Sequence, residues 1–166
     1  MLRDSGSYDP AGSFMKRVEE RQQMRLRLVA NLDCDAGADE LGQLVRERWG
    51  EGEEQRMTQL ARRFPCLEEA DGIEPWNPEA LIHWACGARS ATGDLHAVRF
   101  VLQVWSPIGD WQGVAIDLLQ RSGRARDEVQ ELARRFAPFN VVVALPFWDD
   151  SHRAAFLDWV EVPFFL

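Results

Sequence analysis

The sequence predicts an all-α fold, a compact bundle of about seven to eight helices. Three observations carry this. Apolar residues recur at helical spacing in segment after segment. Capping and breaking residues punctuate those segments, as at Gly50, Pro65, Asn77-Pro78, Ser106-Pro107, Ser122-Gly123 and Pro138. The one run of β-branched residues, Val141 to Val143, has no partner strand nearby, and a lone strand is not stable.

Residues 1–12 are rich in Ser, Gly, Asp and Pro and read as a flexible tail. Ser13 stands where a cap belongs for a helix over Phe14–Leu32, although Met24 to Val29 alternates as a strand would. Leu41, Leu44, Val45, Arg48 and Trp49 share one helical face, and Gly50 follows where a terminating glycine belongs. Met57, Leu60, Ala61 and Phe64 repeat the pattern up to Pro65. The very short connection makes these two helices a hairpin, a candidate N-terminal subdomain.

Residues 65–76 hold Glu68, Glu69, Asp71 and Glu74 with Gly72 and Pro75, and read as an exposed acidic linker. Asn77 as cap, Pro78 at the first helical position and Glu79 in the first turn then start a helix. From Ala80 to Ala88 it is apolar almost all round, interrupted only by His83, which predicts a central helix. In the next helix Leu95, Val98, Val101, Leu102 and Trp105 point inward, with His96, Arg99 and Gln103 on the opposite stripe. Asp110 caps a helix that turns Trp111, Val114, Ala115, Leu118 and Leu119 inward, and Val129, Leu132, Ala133 and Phe136 mark another. Phe139 to Pro146 is expected to form a short buried helix. The last helix runs from about Asp150 to Val160, with Phe156, Trp159 and Val160 inward. The predicted organisation is thus a tail (1–12) and a single α-helical domain (13–166). The domain comprises N-terminal helices (13–64), the acidic linker (65–76) and a main bundle (77–166).

Composition narrows the function classes. With 46% hydrophobic and 28% charged residues the chain is ordinary globular material. Its formal charge of −8 disfavours non-specific binding to DNA or to anionic membranes, so no nucleic acid or membrane partner is expected. The acidity sits mid-chain: residues 65–110 carry 7 acidic and 2 basic side chains. Lys16 is the only lysine, and the arginine excess fits the coding bias of a GC-rich bacterium. Cys34, Cys66 and Cys86 are too few and too widely spaced for a disulfide framework. With neither an apolar leader nor a membrane span in sight, the expected compartment is the cytoplasm.

No phosphate-binding glycine loop, nucleophile elbow or paired zinc motif occurs. His83 and Cys86, three residues apart on one helix, could face a common ligand, but a zinc site takes more ligands than this pair supplies, so both are expected to line the core. Asp149, Asp150 and His152 could hold a metal or serve as acid and base, whereas capping of the last helix accounts for the two aspartates more simply. Cys34, Cys66, His96 and His152 read as scattered single residues, so no metal and no cofactor are expected.

Among seven tryptophans, Trp49, Trp84, Trp105 and Trp159 fall at core positions, while Trp76 and Trp148 adjoin loops and are candidates for exposed aromatic contacts. Phe164, Phe165 and Leu166 should dock onto the domain or be read by a partner. The leading expectation is a non-enzymatic protein-interaction module, an adaptor or small subunit of a bacterial complex. Its candidate contacts are Trp76, Trp148, Phe164, Phe165, Glu68, Glu69, Asp71 and Glu74. Two alternatives remain open. One is a small enzyme or metal-binding protein built on Asp149, Asp150 and His152 or on His83 and Cys86. The other is an acidic decoy of a nucleic-acid-binding surface.

Overall fold

The computed structural model describes residues 34–87 and 91–166, with the main chain alone for residues 34–38. The expected tail over 1–12 and the helix over Phe14–Leu32 lie outside the described residues. The fold is all-α. Its helices are α1 (Cys34–Trp49), α2 (Glu53–Ala61), α3 (Pro78–Gly87), α4 (Thr92–Trp105), α5 (Trp111–Arg121), α6 (Arg126–Ala133), α7 (Val141–Ala144) and α8 (Asp150–Glu161). Short 3-10 turns cover Pro65–Leu67, Arg134–Phe136 and Leu145–Phe147. No strand occurs among the described residues, and none of their helices is long and apolar enough to cross a membrane.

The chain divides into two compact units, Met1–Gly42 and Gln43–Leu166. Of the first, the described part is the beginning of α1. The second holds every buried apolar residue described, from Val45 onward. Gly50 ends α1 with φ +96°, a conformation glycine adopts without strain, and its N–H closes on the Arg46 carbonyl.

The centre of the second unit is α4, which buries Gly93, His96, Ala97, Val98, Phe100, Val101, Leu102 and Val104. This corrects two expectations. His96 is 3% exposed rather than on an outer stripe, and α3 is not the central helix, because His83 faces solvent. The reason is that α4 is covered on several sides. Packed against it are α2 (Met57, Leu60), the Pro65–Leu67 turn and α3 (Leu81, Ile82, Ala85). The Phe100 ring lies 5.2–5.7 Å from those of Phe64, Phe139, Phe156 and Trp159, so aromatic residues of α4, α8 and two connecting segments share one cluster. Such pairs contribute about 0.5–1.5 kcal/mol each beyond burial alone.

Residues 65–76 are not an exposed linker. Leu67, Ala70, Ile73 and Trp76 are buried while Glu68, Glu69, Asp71 and Glu74 face water. The acidic side chains are the solvated side of an ordered segment, pinned where Thr58 donates to the Ile73 carbonyl. The stretch after Phe139 is helical as expected, but only Ala144 of α7 is buried; Val142 and Val143 are 68% and 51% exposed. The last residues dock. Phe164 is buried against Trp49, Trp159 donates to its carbonyl, and the Leu166 N–H donates to Val104 O. Phe165, expected to pack as well, is 57% exposed with one edge against Trp159.

Candidate functional site

Most residues singled out in the sequence do not converge. Trp76 and Trp148, expected beside open loops, are 6% and 2% exposed: Trp76 packs on Trp105, and Trp148 donates through Nε1 to the Gly93 carbonyl. Glu68, Glu69 and Asp71 are exposed, and Glu74 is exposed and paired with Arg62. His83 faces solvent while Cys86 is buried, which pushes its thiol up. Among the described residues no third ligand joins that pair. Asp150 is fully exposed and reaches only Arg153.

Asp149 and His152 are different. Asp149 caps α8, its Oδ1 accepting from the N–H groups of Ser151 and His152 at 3.0 Å and from the Ser151 hydroxyl at 2.6 Å. The same oxygen lies 2.8 Å from His152 Nδ1. These donors, the Ser151 hydroxyl first, hold the Asp149 carboxyl well below the usual carboxylate range. An ionised Asp149 accepts, so Nδ1 is the donating nitrogen and Nε2 is the one that faces the cluster.

That Nε2 points inward. It is shielded from solvent and has no hydrogen-bond partner among the described residues. The imidazole is fixed on one side by Trp148, stacked at 6.3 Å and 18°, and approached by Phe64 at 6.1 Å. In front of Nε2 stand two groups from distant parts of the chain. Asp94, in the first turn of α4, has one oxygen tied to the Ala91 N–H at 3.0 Å and the other 3.7 Å from Nε2, beyond hydrogen-bond reach. Cys66 comes from the Pro65–Leu67 turn. One donor atom each of Cys66, Asp94 and His152 lies within 4.8 Å of the others. Burial, and then the Asp94 charge, push the Cys66 thiol up to about 12.

Two chemistries fit a thiol, an imidazole and two carboxylates so placed. Cys66, His152 and Asp149 stand in the order nucleophile, base and orienting acid. A nucleophilic thiolate, however, needs an electropositive setting, and Asp94 supplies the opposite sign. A small hollow lined by Arg99, Leu102, Trp111 and Phe136, no larger than a water molecule, shares no residue with the cluster. A cation, by contrast, would satisfy all three converging atoms. Sequence reasoning reached Asp149 and His152, took Cys66 for a scattered single residue and did not single out Asp94.

The second feature lies just before Asp149. Val142, Val143 and Phe147 are 68%, 51% and 54% exposed within the α7 turn and the 3-10 turn that follows. The base of this apolar knuckle is fixed. Asn140 caps α7 through the Val142 and Val143 N–H groups, Phe147 stacks on His96, and Trp148 is buried. Gly93 permits the close approach, since a Cβ there would meet the Phe147 carbonyl oxygen at 2.7 Å.

Comparison with known protein families, with curated proteins and with solved structures finds no match to this chain.

Proposed function

We propose that this chain is a protein-interaction module that presents the Val142–Val143–Phe147 knuckle to an apolar groove on a partner protein. The observation behind this reading is that three large apolar side chains are more than half exposed on two consecutive turns, the first capped by Asn140. Covering one such side chain fully is worth roughly 1.5–3 kcal/mol. A knuckle ordered in advance loses little conformational freedom on binding. Asp149 and Asp150 follow at once, and with a formal charge of −8 they favour a groove with a basic rim.

The test is the double substitution V142E/V143E. Both positions are exposed and helical, and glutamate suits a helix better than valine, so folding is retained. Affinity purification from the native source with wild-type and double-variant bait should recover a partner with the wild type alone. A purified pair should lose at least about tenfold in affinity, equivalent to roughly 1.4 kcal/mol. Equal recovery by both baits removes the proposal. A concentration-dependent dimer that the double substitution dissociates would make the partner a second copy of the chain.

A further inference from the structure

We propose that Cys66, Asp94 and His152 form a binding site for one zinc-class divalent cation, with Asp149 as the positioning residue behind it. This inference rests on the cluster alone and does not depend on the interaction reading.

Its first support is convergence. Three different ligand types from three separate parts of the chain bring a donor atom each within 4.8 Å of the others. Tetrahedral zinc, with bonds of about 2.0–2.3 Å, holds its ligand atoms about 3.3–3.8 Å apart. Closing the set takes side-chain adjustments of about an ångström, with no rearrangement of helices.

The second support is the state of each ligand. A metal-bound histidine usually donates its other ring N–H to a carboxylate, and Asp149 at 2.8 Å from Nδ1 stands in that position. His152 itself is 7% exposed, and its Nε2 is aimed into the cluster without a partner. Buried polar atoms are rarely left so, because an unmade hydrogen bond is costly. Asp94 is held through one oxygen by the Ala91 N–H, and its other oxygen faces the cluster, 3.7 Å from His152 Nε2. No arginine pairs with Asp94 among the described residues.

Charge balance points the same way. On coordination the Cys66 S–H bond yields to a sulfur–metal bond and its proton leaves to solvent. Among the direct ligands one thiolate and one carboxylate then neutralise a dication, and the Asp149 carboxylate behind His152 keeps its own charge toward water. The thiolate selects zinc, cobalt or similar borderline-soft ions over magnesium and calcium, which prefer all-oxygen sites. Cys66 and Asp94 are only part-buried, which gives the ion a way in and leaves a fourth position for water.

The probe is cobalt(II), titrated into chelator-stripped full-length protein kept reduced without added thiol. We expect one equivalent to bind with a tetrahedral visible spectrum and a thiolate-to-cobalt charge-transfer band, both erased by zinc. C66S should abolish the band, and H152A and D94A should weaken binding at least tenfold. D149N should keep the band but weaken binding by about 10–100-fold, the usual effect of losing an outer-shell partner. C34S and C86S should change nothing, and they keep the assignment testable if C66S fails to fold. Absence of a thiolate band in the wild-type protein overturns the proposal. So does a band lost in C34S or C86S, or one that survives in folded C66S.

Discussion

Asp149 gathers four donors on one oxygen, and much of its effect can be measured as stability. D149A should lower unfolding free energy by about 0.5–2 kcal/mol, the range for a lost N-cap. The pH dependence follows from the sign of its shift. A carboxyl held below its ordinary value stabilises the fold fully above the unfolded-state pKa and loses that contribution as pH falls through the lower folded-state value. The gap between wild type and D149A should therefore be intact at neutral pH and shrink only in strong acid. Chemical denaturation at several pH values would show this, and a pH-independent gap would mean that the carboxylate charge is not the source. Gly93 gives a second residue-scale prediction. Alanine in a helix is ordinarily worth up to about 1 kcal/mol over glycine. Here its Cβ would lie 2.7 Å from a backbone oxygen, which cannot swing aside as a side chain could. Overpacking of that kind costs about 1–3 kcal/mol, so the clash wins and G93A should melt lower than wild type.

The docked segment after α8 makes an element-scale prediction. Phe164 is 6% exposed against Trp49, whereas Phe165 is 57% exposed. F164A should cost about 3–5 kcal/mol, as deletion of a core phenylalanine does, and F165A should cost under about 1 kcal/mol. Equal effects in thermal melts would contradict the packing. Helix punctuation was the legible part of the sequence: Gly50, Pro78, Asp110 and Asp149 all stand where local chemistry put them. Which face of each helix is covered was less legible, because coverage depends on neighbours brought in from elsewhere. His96 looked like an outer-stripe residue only because periodicity cannot know that α4 is surrounded. The 65–76 segment carried a signal that its acidity masked. Leu67, Ala70, Ile73 and Trp76 recur every third residue, and all four are buried. Nothing local could have joined Cys66 to Asp94 and His152, since three separate turns meet there through tertiary packing alone. The knuckle was likewise hidden, because three consecutive valines read as core.

At the scale of the molecule, the buried apolar residues described all belong to Gln43–Leu166. The aromatic cluster around Phe100 should therefore come apart in a single cooperative transition. Near-UV circular dichroism and tryptophan fluorescence would check this, and two separate transitions for the two signals would contradict it. The two features singled out above meet in this unit. Trp148 follows Phe147 of the knuckle, stacks on His152 and donates to Gly93, the neighbour of Asp94.

The strap from Val162 to Leu166 also has a mechanical meaning. Its attachments run in chain order: the Trp49 indole holds the Val162 carbonyl, the Trp159 indole holds that of Phe164, and the Val104 carbonyl holds the Leu166 amide. A force lifting Leu166 away from the surface, across the line of the segment, loads the last of these first and then the next. Fasteners that yield one at a time resist far less than the same number sheared in parallel. Under tension the strap should peel at low force ahead of the helices, as a zipper opens from its slider.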